Sequence, residues 1–292
     1  MSDWNGSGQH GHHYEAARSE PEILPPGEYP PVARGWYPPP EQQAPQPRAR
    51  RSHWASAPAT YALVGINCAV FLAMLVSGGS LTDPTRGDWL FGLTAGNGGL
   101  VVHGQWWRLL TPIFVHFGWI HLLSNMWCLW NLGLLGEPLL GPLGIVAAYV
   151  LTGVAGNLLS TAVHPQLPGA GGIVSAGASG AVFGLAGVLI VILKSPLLPI
   201  PQFELKKLRR SVIYFALINF VIGAGTWIAS TALQVDNMAH LGGFLSGLAF
   251  GLPLVPRIGA PRQTFERRRT LAVVGMSFVL LLLTFGVYSY YR

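Results

Sequence analysis

The chain of 292 residues has little charge: 12 acidic and 18 basic side chains make up 10% of it, against roughly 25% in a soluble domain. Half of the residues are hydrophobic. That balance excludes an ordinary soluble protein and gives the profile of a membrane protein. Cysteine is scarce as well. Cys68 and Cys128 sit in apolar runs without ligand-like spacing, which excludes a disulfide framework and a thiolate metal site and leaves two small hydrophobes. Carboxylates are missing from the middle of every apolar stretch, since Glu137 and Asp236 fall near the ends, so an ion pathway through the membrane has little to be built from. The net charge of +6 is distributed as topology, not as a nucleic-acid surface.

Residues 1–55 hold ten prolines and no apolar run of signal-peptide length, and are expected to form a disordered tail. Pro38-Pro39-Pro40 suits a polyproline II ligand less well than a solvated tail. No carboxylate or cysteine cluster accompanies His10, His12 and His13, so no metal site is expected. Seven mostly apolar stretches follow, near 58–77, 116–135, 143–162, 175–193, 211–231, 236–254 and 271–290, each long enough to cross a core of about 30 Å as a helix. The segment 79–112, with Trp89, Trp106, Trp107 and Arg108, is expected partly in the interface, where tryptophan is favoured.

Fifteen of the eighteen basic residues fall before the first stretch, between the fourth and fifth, and between the sixth and seventh. Positive loops stay in the cytoplasm, so the N-terminus is placed inside and the C-terminus outside. The second, fourth and sixth stretches then enter from the outer side together. Near their starts lie His121 with Asn125, Ser179, and His240, expected to form one polar layer some 6–8 Å below the helix starts. The sixth stretch also reads Gly243-x3-Gly247-x3-Gly251 and the fourth Gly180-x3-Gly184 with Gly187, small residues that let two backbones approach. Such packing brings a hydroxyl to an imidazole. Histidine can then take the serine proton during attack on a carbonyl and return it to a leaving amine. Asn125, His121 and backbone N–H groups at a helix start are candidate donors to the oxyanion.

These residues resemble the rhomboid intramembrane serine proteases. The resemblance rests on Gly177-x-Ser179-Gly180, Ala239-His240-x-Gly242-Gly243, His116-x4-His121-x3-Asn125 and Trp107-Arg108, and covers about residues 56–254. It implies an all-α polytopic membrane protein, a rhomboid-like six-helix bundle (56–254) after a cytoplasmic Pro-rich tail (1–55), with a basic linker and seventh C-terminal transmembrane helix in 255–292. It further implies Ser179 as nucleophile, His240 as general base and acid, and His121 and Asn125 at the oxyanion site beside the backbone of Gly177, Ala178 and Ser179. Phe183 would pack on the catalytic histidine where the family commonly has tyrosine, His116 would be structural, and Gly243 would support the close helix contact. Asp236 is read as a helix N-cap before a triad acid.

The reaction implied is hydrolysis of a peptide bond in or near the transmembrane segment of a membrane-protein substrate, in the lipid bilayer, without a cofactor or nucleic acid. A bacterial plasma membrane suits the chain best, and no oligomeric state follows from the sequence. A client-binding protein without catalysis is the competing reading, and it usually lacks the nucleophile or the base.

Overall fold

A computed structural model describes residues 57–82, 88–166, 174–195, 198, 201–228, 235–255 and 261–292. The Pro-rich tail, with Pro38-Pro39-Pro40 and the three N-terminal histidines, lies outside the described residues, as do Arg86 and Arg257.

Nine α-helices are described: α1 (Pro58–Val76), α2 (Trp89–Thr94), α3 (Gly98–Val102), α4 (Trp119–Leu140), α5 (Pro142–Val163), α6 (Ser179–Ile192), α7 (Gln202–Ile228), α8 (Asn237–Gly251) and α9 (Arg262–Tyr291). Each of the seven apolar stretches contains one long helix, and α2 and α3 fall in the segment expected at the interface. Three helices, α1, α5 and α9, are by themselves long and apolar enough to cross a membrane. The polar residues that carry the site dilute α4, while α6 and α8 are 14 and 15 residues long, only about 21–22 Å at 1.5 Å per residue. Of the basic residues expected in loops, Lys206, Lys207, Arg209 and Arg210 lie instead in the first three turns of α7, and Arg262, Arg267, Arg268 and Arg269 in the first turns of α9, while Lys194 stays in the turn after α6. Lysine and arginine are good helix formers, so charge ends an apolar stretch without ending the helix.

α6 forms the centre of the bundle. Ten consecutive residues, Gly180–Leu189, are buried, which suits a helix that is apolar on every side. α8 lies against it at backbone distance: a Cβ added at Gly243 would collide with the Gly180 carbonyl, and one at Gly247 with the Gly184 carbonyl. On the other side of α8, Gly156 of α5 meets the Ala239 carbonyl in the same way. Cys68 and Cys128 are free and half-buried, packed against the core.

Two long-range polar clamps hold the frame. α1 begins with Pro58 at its first position, and its next donors are capped from far along the chain. The buried Glu137 carboxylate accepts from Ala59 N (2.9 Å), Thr60 N (2.8 Å) and Thr60 Oγ1 (2.7 Å). A carboxylate at a helix N-terminus satisfies otherwise unpaired N–H groups and complements the helix dipole. The second clamp is Arg108, in the 3₁₀ turn Trp106–Leu109. Its guanidinium donates to the carbonyls of Ala95 (2.6 Å) and Gly92 (2.7 Å) and to Gln105 Oε1 (2.6 Å), while Trp107 Nε1 donates to Leu93 O (3.1 Å). Together they cover the open carbonyls at the end of α2. The outer segment is then tied to α5 by Asn157 Nδ2 on Leu109 O and Tyr149 Oη on Ile113 O.

The removal of the Glu137 carboxylate should leave two amides and a hydroxyl unsatisfied, each worth roughly 1–3 kcal/mol when buried. Glu137→Ala is expected to lower the thermal midpoint of the protein in detergent clearly, and Glu137→Gln to lower it less. An unshifted midpoint in Glu137→Ala would show that the clamp carries no stability.

Candidate active site

The two residues of β2 (Val174–Ser175) pair antiparallel with β1 (Gly96–Asn97), Gly96 opposite Ser175 and Asn97 opposite Val174. This short ladder ties the segment that enters α6 to the outer segment braced by Arg108. Two residues later the Gly177 N–H donates to Pro112 O (2.9 Å) and the Gly177 φ is +128°. Only glycine adopts that backbone readily. The reversal makes Ala178 the N-cap of α6 and Ser179 its first residue.

Ser179 was expected about a turn inside its helix. It stands at the start because the chain cannot be right-handed helix at Gly177. His121 is the third residue of α4 and His240 the fourth of α8. The three helices begin at one end of the bundle, and the polar layer forms there.

α8 starts where Asp236 caps it, accepting from Ala239 N (2.9 Å); the second carboxylate oxygen accepts from Ser160 Oγ of α5 (2.6 Å). One turn on, His240 Nε2 lies 2.8 Å from Ser179 Oγ. The imidazole is buried and stacks on Phe183, with ring centroids 4.3 Å apart and planes 17° from parallel. Its Nδ1 has no hydrogen-bond partner among the described residues. Both Asp236 oxygens are engaged by the cap and by Ser160, and the described contacts form a serine–histidine pair with no third, orienting acid. With the proton on Nδ1, Nε2 is free to accept the Ser179 hydroxyl hydrogen.

His121 faces the same corner. Phe117 N–H donates to its Nδ1 (3.4 Å), which places the ring proton on Nε2. That nitrogen points at Gly177, where an added Cβ would stand 2.8 Å from Nε2 and 2.6 Å from Cε1. Asn125 Nδ2 donates to His121 O (2.9 Å) and would lie 3.7 Å from the same Cβ. One of its two amide hydrogens is thereby used and the other is spare. His116 is fully buried, edge-on to His121 at 5.3 Å, and its Nε2 accepts from Ala178 N (3.4 Å). The Ala178 amide is thus directed to His116. The Ser179 N–H is the first of the helix-start donors that have no intrahelical acceptor.

The candidate catalytic, oxyanion and supporting residues lie in or beside this corner: Ser179, His240, His121, Asn125, Gly177, Ala178, Phe183 and His116 directly, and Gly243 in the helix contact behind it. Ser160 and Pro112 were not foreseen. A serine in an apolar helix carries no signal that it will reach a carboxylate, and a backbone carbonyl carries none at all.

The fold and this corner define a multi-pass, all-helical membrane protein with a serine–histidine pair where three helices begin. The rhomboid domain matches residues 103–257, more than half of the chain, and the chain belongs to the rhomboid family. It is 30% identical over 231 residues to the rhomboid protease GluP of Bacillus subtilis (strain 168), covering 79% of this chain and 41% of that protein. It is 34% identical over 158 residues to RHOMBOID-like protein 5 of Arabidopsis thaliana, covering 54% of this chain and 47% of the relative. With Rhomboid-like protease 2 of Toxoplasma gondii the identity is 28% over 216 residues, 73% of this chain and 71% of that one. The chain therefore spans less than half the length of the first two.

A methyl group at Gly177 would meet the His121 ring and hold a strained backbone, a cost of roughly 1–3 kcal/mol. Gly177→Ala is expected to lower labelling of Ser179 by a fluorophosphonate at least tenfold, about what a displacement worth 1.4 kcal/mol gives. Labelling at the wild-type rate would show that the turn does not set the serine.

Proposed function

We propose that the chain is an intramembrane serine endopeptidase that hydrolyses peptide bonds in or near the transmembrane segments of other membrane proteins. The observation that carries this reading is the 2.8 Å contact between Ser179 Oγ and His240 Nε2, made by two helices in backbone contact within a rhomboid domain. Ser179 Oγ attacks the peptide carbonyl carbon as its proton passes to His240 Nε2. The negative charge that develops on the carbonyl oxygen is met by His121 Nε2–H, the spare Asn125 amide hydrogen and the Ser179 N–H, donors already in place in a low-dielectric corner. Collapse of the intermediate breaks the C–N bond, and His240 gives its proton to the leaving amine. Water then attacks the acyl-enzyme with His240 again as base, and the acid product and the Ser179 hydroxyl are restored. The stacking of Phe183 fixes the plane of the imidazole without a hydrogen bond.

The finer arrangement proposed is six-plus-one: α1, α4, α5, α6, α7 and α8 as the catalytic core within 56–254, and α9 as the seventh membrane helix in 255–292, after a cytoplasmic tail in 1–55. The match to the rhomboid domain ends at 257, before α9, which supports that division. Arg269 of α9 donates to Leu140 O at the end of α4 (3.0 Å), so basic residues gather at the end of the bundle opposite the serine. With that end cytoplasmic, the N-terminus is inside, the C-terminus outside and the site opens toward the outer leaflet of a bacterial plasma membrane. A substrate helix enters past α7, which exposes Tyr214, Leu217, Ile218, Val221 and Ile222, and must unwind locally because its carbonyls are held in helical hydrogen bonds.

The test is cleavage of a fluorescent single-span substrate in proteoliposomes. Ser179→Ala and His240→Ala are each expected to abolish product while the protein remains folded, and retained cleavage in either would remove the pair from the mechanism. Folded wild-type protein that cleaves none of a panel of substrates with varied helix-breaking residues would favour the client-binding reading. In the same assay Asn125→Ala and His121→Ala should each lose about 10²- to 10³-fold in rate, the cost of one oxyanion donor. Unchanged turnover in one of them assigns the oxyanion to the other donors.

A further inference from the structure

α9 touches the rest of the chain thinly. Most of its length is exposed, and Leu280 is its one buried residue. The helix is held near its two ends. Arg269 donates to Leu140 O (3.0 Å) at one end; at the other Tyr291 Oη donates to Ala162 O (2.7 Å) and Tyr288 meets the Trp106 ring edge-on (6.0 Å). Between these ties lies a groove of about 740 Å³, with Ala155, Leu158 and Leu159 of α5 as its floor and α8 and α9 as its walls.

Along α9 the lining follows one face from Arg268 through Leu271, Gly275, Val279 and Leu283 to Val287. The whole face rises about 28 Å, and its part from Arg268 to Val279 about 16 Å, near the depth of one leaflet of a 30 Å core. Apart from Ser246, Arg268 is the only polar side chain in the lining, and it stands at one end. It is exposed, and among the described residues its guanidinium has no hydrogen-bond or ion-pair partner; the nearby Glu266 is engaged with Arg262 (2.8 Å) and Arg269 with Leu140. Arg267 and Arg269 add positive charge on the same turn.

We propose that this groove is a binding site for an anionic phospholipid of the leaflet at the basic end of the bundle, its phosphate on Arg268 and an acyl chain laid between α8 and α9. A guanidinium presents a fork of donors that fits a phosphate, and the part of the apolar crevice nearest Arg268 is deep enough for a hydrocarbon chain of one leaflet. Among the described residues the Arg268 guanidinium has no partner, so the groove suits an occupant with an anionic head better than an apolar helix, which would leave that charge unmet. The lipid acts as a gasket: it adds to the few side contacts, through Ala272, Val273, Met276 and Leu280, that α9 makes between its end ties. This site is independent of the proteolytic reading, because it shares no residue with the serine–histidine corner.

The experiment is native mass spectrometry of the full purified chain, titrated in detergent with phosphatidylglycerol or with phosphatidylcholine of the same chains. The wild type is expected to retain one phosphatidylglycerol in preference to phosphatidylcholine. Arg268→Ala should weaken that retention about fivefold, the weight of one basic side chain at an anionic surface. Gly275→Leu should weaken it at least tenfold: Gly275 lines the groove and a Cβ there meets nothing within 4 Å, so the side chain has room to start into the acyl-chain path, and the loss of a mid-helix glycine favours α9. Its thermal midpoint without lipid should not fall, which separates a filled groove from a misfolded helix. Equal retention of the two lipids by the wild type, or wild-type retention by Gly275→Leu, overturns the proposal. Disulfide cross-linking of two Gly275→Cys chains would also overturn it, by assigning the face to a second copy.

Discussion

The contact on which the site depends is the approach of α6 to α8, where Gly243 and Gly247 rest on the carbonyls of Gly180 and Gly184. No side chain fits between the two helices at these positions, so their separation is set by backbone atoms, which are far stiffer than rotamers. Ser179 and His240 stand at the heads of those same helices, and the 2.8 Å between them follows from the glycine contact below. In a bilayer the apolar faces of helices gain little from leaving lipid, and dispersion at close range is what holds a pair together. The same glycines therefore provide both the cohesion of the core and the alignment of its reacting groups.

The outer segment has the complementary task of fixing how the chain enters α6. Arg108 closes the end of α2, the β1–β2 ladder carries that fixed segment across to Ser175, and Pro112 receives the Gly177 amide. The turn at Gly177 is thus bound on both sides before the helix begins. Such a layout suits a group that must be held in an unusual backbone reversal, since the surrounding hydrogen bonds over-determine it. Asp236 performs a similar service at α8, where one carboxylate both caps the helix and joins it to α5 through Ser160.

Much of this was legible in the amino-acid sequence, and the limits have physical causes. The seven apolar stretches and the small-residue spacing of α6 and α8 follow directly from composition and period. The polar residues were visible because they are costly in an apolar setting. Helix ends were not legible at the same level: an apolarity window does not register that Gly177 must take a positive φ, and so it started α6 too early, while in α7 and α9 it missed basic first turns that remain helical. Contacts between groups far apart in sequence carried no local sign at all. Glu137 looked like a charge at a helix end, when it is the cap of another helix; Arg108 belonged to a recognisable pair, but which carbonyls it closes depends on how α2 folds back.

The Glu137 clamp also bears on the order of assembly. The Thr60 amide waits for a partner 77 residues further along the chain, so α1 is made and threaded into the membrane long before its own first turn can be completed. Until α4 is in place those donors must be served by water or lipid headgroups, which pins the head of α1 to the membrane surface. The final seating of α1 therefore depends on α4, a helix that follows it by more than forty residues in the chain.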